Sequence, residues 1–364
     1  MDYIAKLLPN APIVPSINSN NLPALVNIAY PRTFLFNPPV IILPNKKFKL
    51  DAIIEEEKTS TLQYNTYLRG LTAVPQIPES VDLRNNLGPV ISQGEIGSCV
   101  AHGTACMKEW QEKNSGEHDD YFSTAFIYLN RSNQGSSGMY ISNACDILAS
   151  KGVCKSTTLP YSVLGTNDTS ANELGPSIIP QSAIREANQF RISNSVLIKT
   201  VNELKTALFI NGPCPFGVFI YGDVNGRLTD RPRMWIKDAA NPTMLGGHCM
   251  CFVGYNSNGF IVRNSWGQDW NPLKSTTDMM GYDYLPYSDF TSGIVFSCYS
   301  TTDLKPIPIP PAPSPTPSPP TPPTPPPAPP APPAPASESS NSMGVIIGVA
   351  IGAVILFTFM SSKK

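Results

Sequence analysis

Charge is scarce in this chain and evenly balanced. Lys and Arg number 26 against 27 Asp and Glu, for a net charge of −1, and no basic stripe is visible. Binding nucleic acid through counterion release requires such a stripe, so a nucleic-acid partner is not expected. Eight cysteines in 364 residues fall well short of a disulfide scaffold. Apart from Cys99, they show no paired CxxC spacing and no histidine companion fit for a metal, so neither a metal site nor a cofactor is expected. The first twenty residues, with Asp2, Pro9, Pro12 and Pro15, lack the basic start and apolar run of a signal peptide. These absences describe a chain made and kept in a reducing compartment.

Proline is the abundant residue, and it is unevenly placed: nineteen of 39 prolines lie between Pro306 and Pro335. Without that stretch, residues from about 75 to 300 have ordinary apolar and aromatic content and can bury one substantial core. Residues 1–76 are rich in Pro and Asn, with apolar patches such as Val40-Ile41-Ile42-Leu43, a charged run Glu55-Glu56-Glu57-Lys58 and weak helical periodicity. They read either as an extended accessory segment or as a removable, inhibitory pro-segment, and in the second case processing falls near Ala73–Pro78.

The linker, residues 303–342, has only Ala, Ser, Thr and Ile between the prolines of its central tract, which favours polyproline II. At about 3.1 Å per residue its thirty residues reach on the order of 90 Å, a stiff stalk. Its PxxP pairs suit SH3 or WW domains but are inevitable in so proline-rich a tract. Met343 to Met360 is an uncharged apolar run, long enough for one transmembrane helix and followed by a short tail, residues 361–364. Gly344, Gly348 and Gly352 recur at the spacing that lets two such helices dimerise. An anchor this close to the C-terminus, without a signal peptide, is inserted after synthesis and leaves the main domain on the cytosolic side of a lipid bilayer. Lys363 and Lys364 bias it the other way under the positive-inside rule, but two lysines weigh little.

Within the main domain, residues 77–302, apolar spacing predicts helices over Ser98–Lys113, Ser123–Asn130, Tyr140–Ser150 and Val201–Ile210. Beyond Pro213 come β-branched and aromatic runs at Phe216–Tyr221, His248–Tyr255, Phe260–Arg263 and Gly293–Tyr299. The expectation is an α+β fold in two halves, with a cleft that brings Cys99 opposite His248.

Four residues carry the chemistry: Gln93, Cys99 six positions later, His248 behind Gly246-Gly247, and Asn264 sixteen positions further on. A thiol becomes nucleophilic when an imidazolium and a helix N-terminus lower its pKa. Asn264 would accept from the imidazole ring N–H and fix its tautomer, Trp266 would shield that bond, and Gln93 with the Cys99 backbone N–H would donate to an oxyanion. His118 lies in a charged loop. His102, three residues after Cys99 on the same helix face, is the rival base, but it would have to meet the thiol while leaving room for a carbonyl.

Gln93-Gly94-Glu95-Ile96-Gly97-Ser98-Cys99-Val100-Ala101, Gly247-His248 and Asn264-Ser265-Trp266-Gly267 resemble, in order and spacing, blocks of the papain family of cysteine proteases. Ser80-Val81-Asp82-Leu83-Arg84, Leu159-Pro160-Tyr161, Asn211-Gly212-Pro213 and the block Gly281 to Tyr287 extend the similarity over roughly residues 78–300. The resemblance implies a papain-like two-lobe fold, a helical lobe plus a β-barrel-like lobe, and an endopeptidase acting on a polypeptide through Cys99, His248, Asn264 and Gln93. It also implies substrate contacts at Gly138, Met139, Cys249 and Trp266. The chain departs from the family at Ile96, where a disulfide cysteine is usual, and at Ser136-Ser137-Gly138-Met139, where its partner block is Cys-x-Gly-Gly. Val100 replaces a common tryptophan. The viral type of the C-terminal block, with the anchor, is similar to proteases of large DNA viruses. Another acyl-transfer enzyme on the same fold, or an inactive membrane-anchored scaffold, are the rival readings.

Overall fold

The computed structural model describes residues 41–43, 46–54, 76–116, 120–229, 231–274 and 279–304. The stalk tract, the apolar run 343–360, its glycines and His118 lie outside them. Among the described residues no helix is long and apolar enough to cross a membrane.

Helix α1, Cys99–Asn114, is the central element, with Cys99 through Glu112 buried on every face. A helix so enclosed must satisfy its polar side chains internally. Lys108 Nζ bonds Glu112 Oε1 at 2.5 Å and Asp303 Oδ1 at 2.6 Å. Gln111 Nε2 donates to the Thr301 carbonyl at 3.1 Å, and Glu109 Oε1 accepts from the Phe122 N–H at 3.1 Å. Around α1 pack α2, Thr124–Leu129, capped by the Ser123 hydroxyl, and α3, Ile141–Ser150. With Phe126, Tyr128, Ile147 and Leu148 they form one apolar core. Two short helices follow, α4 (Asp168–Asn172) and α5 (Gln181–Ala187), and then α6 (Val201–Ile210), which opens on a full capping box between Thr200 and Glu203.

The second half is an antiparallel sheet in the order β8-β7-β6-β5-β9, with β3 added to β6. Its strands are β3 (Val81–Asp82), β5 (Cys214–Gly222), β6 (Thr243–Asn256), β7 (Gly259–Arg263), β8 (Tyr282–Leu285) and β9 (Val295–Phe296). Phe216 stacks on Phe252 with ring centroids 3.7 Å apart, inside a second core that holds Trp235, Trp266, Phe260 and α7 residue Phe290 (α7, Tyr287–Thr291). A separate pair, β4 (Ile192–Leu197) with β10 (Tyr299–Asp303), joins the two halves of the sequence, and the Lys108–Asp303 bond locks it to α1.

The N-terminal segment contributes an antiparallel hairpin, β1 (Ile41–Leu43) with β2 (Lys46–Phe48), and then an extended strap, Lys49–Ile54. Along an extended chain alternate side chains point to opposite faces. Leu50 joins the strand-side core and Ala52 the helix-side core, while Lys49 and Asp51 enter a polar cluster. Burying Leu50 alone stabilises the seated strap by about 1.5–3 kcal/mol.

Candidate active site

Cys99 is the first residue of α1, after Ser98. The Ser98 hydroxyl does not cap the helix; it bonds the Tyr161 hydroxyl at 2.6 Å, and Tyr161 donates to the Gln93 carbonyl at 2.8 Å. Arg263, on β7, donates to the carbonyls of Gly88 and Pro89, and the Gln93 N–H donates to the Ser265 carbonyl at 2.8 Å. The loop bearing Gln93 is thereby fixed against both α1 and the segment bearing Asn264.

His248 sits in β6 opposite Val218 of β5, fully buried. Asn264 Oδ1 stands 2.8 Å from His248 Nε2 and 2.7 Å from the Ser265 N–H. A carboxamide oxygen only accepts, so this bond fixes the tautomer with the proton on Nε2. His248 Nδ1 is left as the basic nitrogen, buried and without a hydrogen-bond partner among the described residues. Trp266 stacks on the imidazole with centroids 4.7 Å apart.

The side-chain amide of Gln93 is held at both ends. Its Oε1 accepts from the Ser265 hydroxyl at 2.6 Å, and its Nε2 donates to the carbonyls of Ile96 at 2.9 Å and Lys49 at 3.0 Å. Ser265 is a positioning partner that motif matching alone did not single out. His102 is engaged by its own helix turn, with Nδ1 3.0 Å from the Ser98 carbonyl and its ring edge-on to Tyr161. This arrangement leaves His102 a structural role beneath the thiol.

The strap covers the thiol. The Ala52 N–H donates to the Gly247 carbonyl at 3.0 Å, the Ile53 N–H to the Met139 carbonyl at 3.2 Å, and the Met139 N–H to the Asp51 carbonyl at 3.3 Å. Gly138 has φ of +76°, and a Cβ there would strike the Asp51 carbonyl, so both its conformation and the strap's approach require glycine. Cys99 is completely buried. Burial pushes its thiol up to about 12, and the backbone N–H groups of Asp51 and Cys249, directed at the sulfur, only partly oppose this. Burial, helped by His102, lowers His248 to about 4 against the Asn264 hydrogen bond. With the strap seated, thiol and imidazole are both neutral. The strap presents the Asp51 N–H to the sulfur.

Of the substrate contacts expected from the sequence, Gly138 and Met139 lie along the strap and Trp266 covers His248. The Cys249 side chain turns instead toward α1, where a Cβ on Gly103 would lie 3.0 Å from its sulfur. Asp168 and Lys49 went unnoticed in the sequence. Asp168 Oδ1 accepts from the Gly97 N–H at 2.7 Å, and its Oδ2 bonds the Ser137 hydroxyl and Lys49 Nζ. Asp168 thus ties together, without a covalent link, the two segments in which the family carries its disulfide. Nothing in the spacing around Asn167-Asp168 signals this.

The family model for papain family cysteine proteases matches residues 77–274, more than half of the chain. The chain belongs to the papain family. An uncharacterized peptidase C1-like protein of Acanthamoeba polyphaga mimivirus is 25% identical over 250 residues, covering 66% of this chain and 74% of that protein. Papain of Carica papaya is 24% identical over 197 residues, 53% of this chain and 52% of papain. Among solved structures, xylellain, a cysteine protease from Xylella fastidiosa, superposes with a TM-score of 0.57 at 22% identity, covering 73% of this chain and all of xylellain. The papain-like α+β fold and the assignment as a cysteine peptidase follow.

Proposed function

We propose that the chain is a latent, membrane-anchored endopeptidase of the papain family, in which Cys99, His248 and Asn264 form the catalytic triad and residues 1–76 act as an inhibitory pro-segment. The observation that carries this reading is the His248–Asn264 bond at 2.8 Å, which leaves Nδ1 as the nitrogen available to a thiol at the head of α1. Once the strap leaves, water re-enters and favours the charged forms that burial had suppressed, so the proton passes from Cys99 to His248. The thiolate attacks the substrate carbonyl, and the oxyanion takes hydrogen bonds from Gln93 Nε2 and the Cys99 N–H. His248 donates its proton to the leaving amine. It then takes one from the water that hydrolyses the thioester, and the sulfur leaves as thiolate, regenerating the thiolate–imidazolium pair.

Anchoring rests on the sequence alone: Met343–Met360 as a single span behind the proline-rich stalk, with the peptidase domain on the cytosolic side and dimerisation through Gly344, Gly348 and Gly352. A viral source is consistent with the mimivirus relative.

The test is covalent labelling by a papain-type epoxide of the full chain cut near Ala73–Pro78, comparing wild type with Cys99→Ala and His248→Ala. One adduct per wild-type chain and none on either variant is the expected result. A folded, processed wild-type chain that takes up no label overturns the reading.

A further inference from the structure

Lys49 is buried, and its ammonium has a built seat. Asp168 Oδ2 holds Nζ directly, the Ser137 hydroxyl lies 3.4 Å away and Asp51 Oδ2 3.9 Å away. Asp51 belongs to the strap and leaves with it. Asp168 and Ser137 belong to the body of the domain and stay. The Asp168 carboxylate is fixed by the N–H of Gly97, two residues before the nucleophile. Ser137 is next to Gly138, against which the strap backbone runs. The carbonyl of Lys49 is meanwhile held by Gln93, whose amide also faces the oxyanion position. A basic residue is therefore already seated at the catalytic centre, with its main chain on the Gln93 donor and its side chain on a carboxylate.

We propose, on the protease reading above, that Asp168 and Ser137 form a cation-binding subsite that selects a lysine or arginine side chain of the substrate next to the bond being cut, and that Lys49 fills this subsite in the latent chain. With the strap seated, the Asp168 side chain is 10% exposed and paired with Lys49. Once Lys49 leaves with the strap, a substrate ammonium or guanidinium restores the charge-assisted bond. Leucine or norleucine of similar length fills the space and leaves the charge uncompensated. A glutamate adds repulsion.

The experiment uses the full chain after cleavage near Ala73–Pro78. It compares kcat/KM on one peptide series differing only in Lys, Arg, norleucine or Glu before the scissile bond, in wild type, Asp168→Asn and Asp168→Glu. Asn at 168 retains an oxygen for the Gly97 N–H, removes the charge, and puts an N–H donor where Oδ2 accepted from Ser137 and Lys49. The expected wild-type ratio of Lys or Arg over norleucine is at least tenfold; it collapses to within about twofold in Asp168→Asn and survives in Asp168→Glu. A wild-type ratio near one overturns the proposal, as does a ratio unchanged in Asp168→Asn, which would leave Asp168 as an anchor for the strap alone. If Asp168→Asn fails to fold, Ser137→Ala and the wild-type ratio decide: the Lys or Arg preference must fall in Ser137→Ala, and a preference unchanged there overturns the proposal. Absence of both turnover and epoxide labelling in folded wild type overturns the protease reading instead.

Discussion

The side-chain amide of Gln93 donates to the backbone carbonyl of Lys49 at 3.0 Å. On the proposed reading, latency and catalysis therefore draw on the same group. Gln93→Ala removes one oxyanion donor, which should lower kcat about 10²- to 10³-fold in the processed enzyme. In the intact chain the same change deprives Lys49 of a partner, so the strap should protect Cys99 from alkylation less well. Steady-state kinetics on the processed form and iodoacetamide labelling of the intact form check the two halves. A fall in kcat with undiminished protection would dissociate Gln93 from the strap.

Lys49→Glu turns the ion pair with Asp168 into a repulsion between two buried carboxylates. The strap should leave without any cut in the chain. Epoxide labelling of Cys99 in the intact variant should rise at least tenfold over intact wild type, and Lys49→Arg should stay protected. Equal labelling of all three would mean that the polar cluster does not hold the strap.

The pH dependence of latency follows from Asp51. Burial raises its carboxyl to about 7 from the ordinary 3.8, against the Ser137 hydrogen bond and the charge of Lys49. Asp168 and Tyr128 face it as well. Ser137 has one proton and lies against both carboxylates, which suits Asp51 carrying a proton of its own. A raised pKa in the closed state means that closing takes up a proton. The contribution of Asp51 to closure is thus fully present below about 4 and is lost as pH rises through about 7. On opening, Cys99 and His248 share one proton, as the closed neutral pair does over most of that window, so they add little slope. Hydrogen-exchange protection of the Ala52 and Ile53 amides, corrected for intrinsic rates, should rise by up to tenfold per unit as pH falls from about 7 toward 5. Asp51→Asn should flatten the profile. Protection that grows with pH would reverse the assigned sign.

The sequence anticipated the elements whose pattern is self-contained. Val201–Ile210 was expected and found with those bounds, α1 and α2 differ by one residue at each end, and α3 by one at its start. The runs at 216–221, 248–255 and 260–263 lie within longer strands because the flanking glycines and prolines also pair. The expected strand over Gly293–Tyr299 is broken by Ser297 at φ of +50° into β9 and β10. Strand β4 was missed since Ser193, Asn194 and Ser195 obscure its alternation, and its partner β10 lies a hundred residues away. Gln93, Cys99, His248 and Asn264 were readable as separate blocks. Asp168 and the strap were not, because each matters through contacts across more than forty residues that no local spacing encodes.

Gly97 offers a steric test of the same closed state. A Cβ at this position would collide with the Asp51 carboxylate and come within 2.6 Å of the Ser137 hydroxyl, while no positive φ makes alanine strained there. Gly97→Ala should therefore open the strap with little loss of global stability. The expected outcome is increased alkylation of Cys99 in the intact chain, with a thermal midpoint within a few degrees of wild type. Undiminished protection would show that the segment yields without leaving.

Lys108 carries the largest expected stability effect. Its ammonium, with no exposed surface, lies between Glu112 and Asp303, and also donates to the Arg191 carbonyl at 3.1 Å. Lys108→Met keeps the length of the side chain and strands two buried carboxylates. Breaking a buried ion pair by removing one partner costs about 3–5 kcal/mol. Adding Glu112→Gln and Asp303→Asn removes the stranded charges and should recover much of that loss. Denaturant unfolding of the single and triple variants measures both changes. A loss in Lys108→Met that the triple variant does not relieve would assign the effect to packing around α1, and a loss below about 1 kcal/mol would mean that the β4–β10 pair is held to α1 by the Gln111–Thr301 hydrogen bond and apolar contacts.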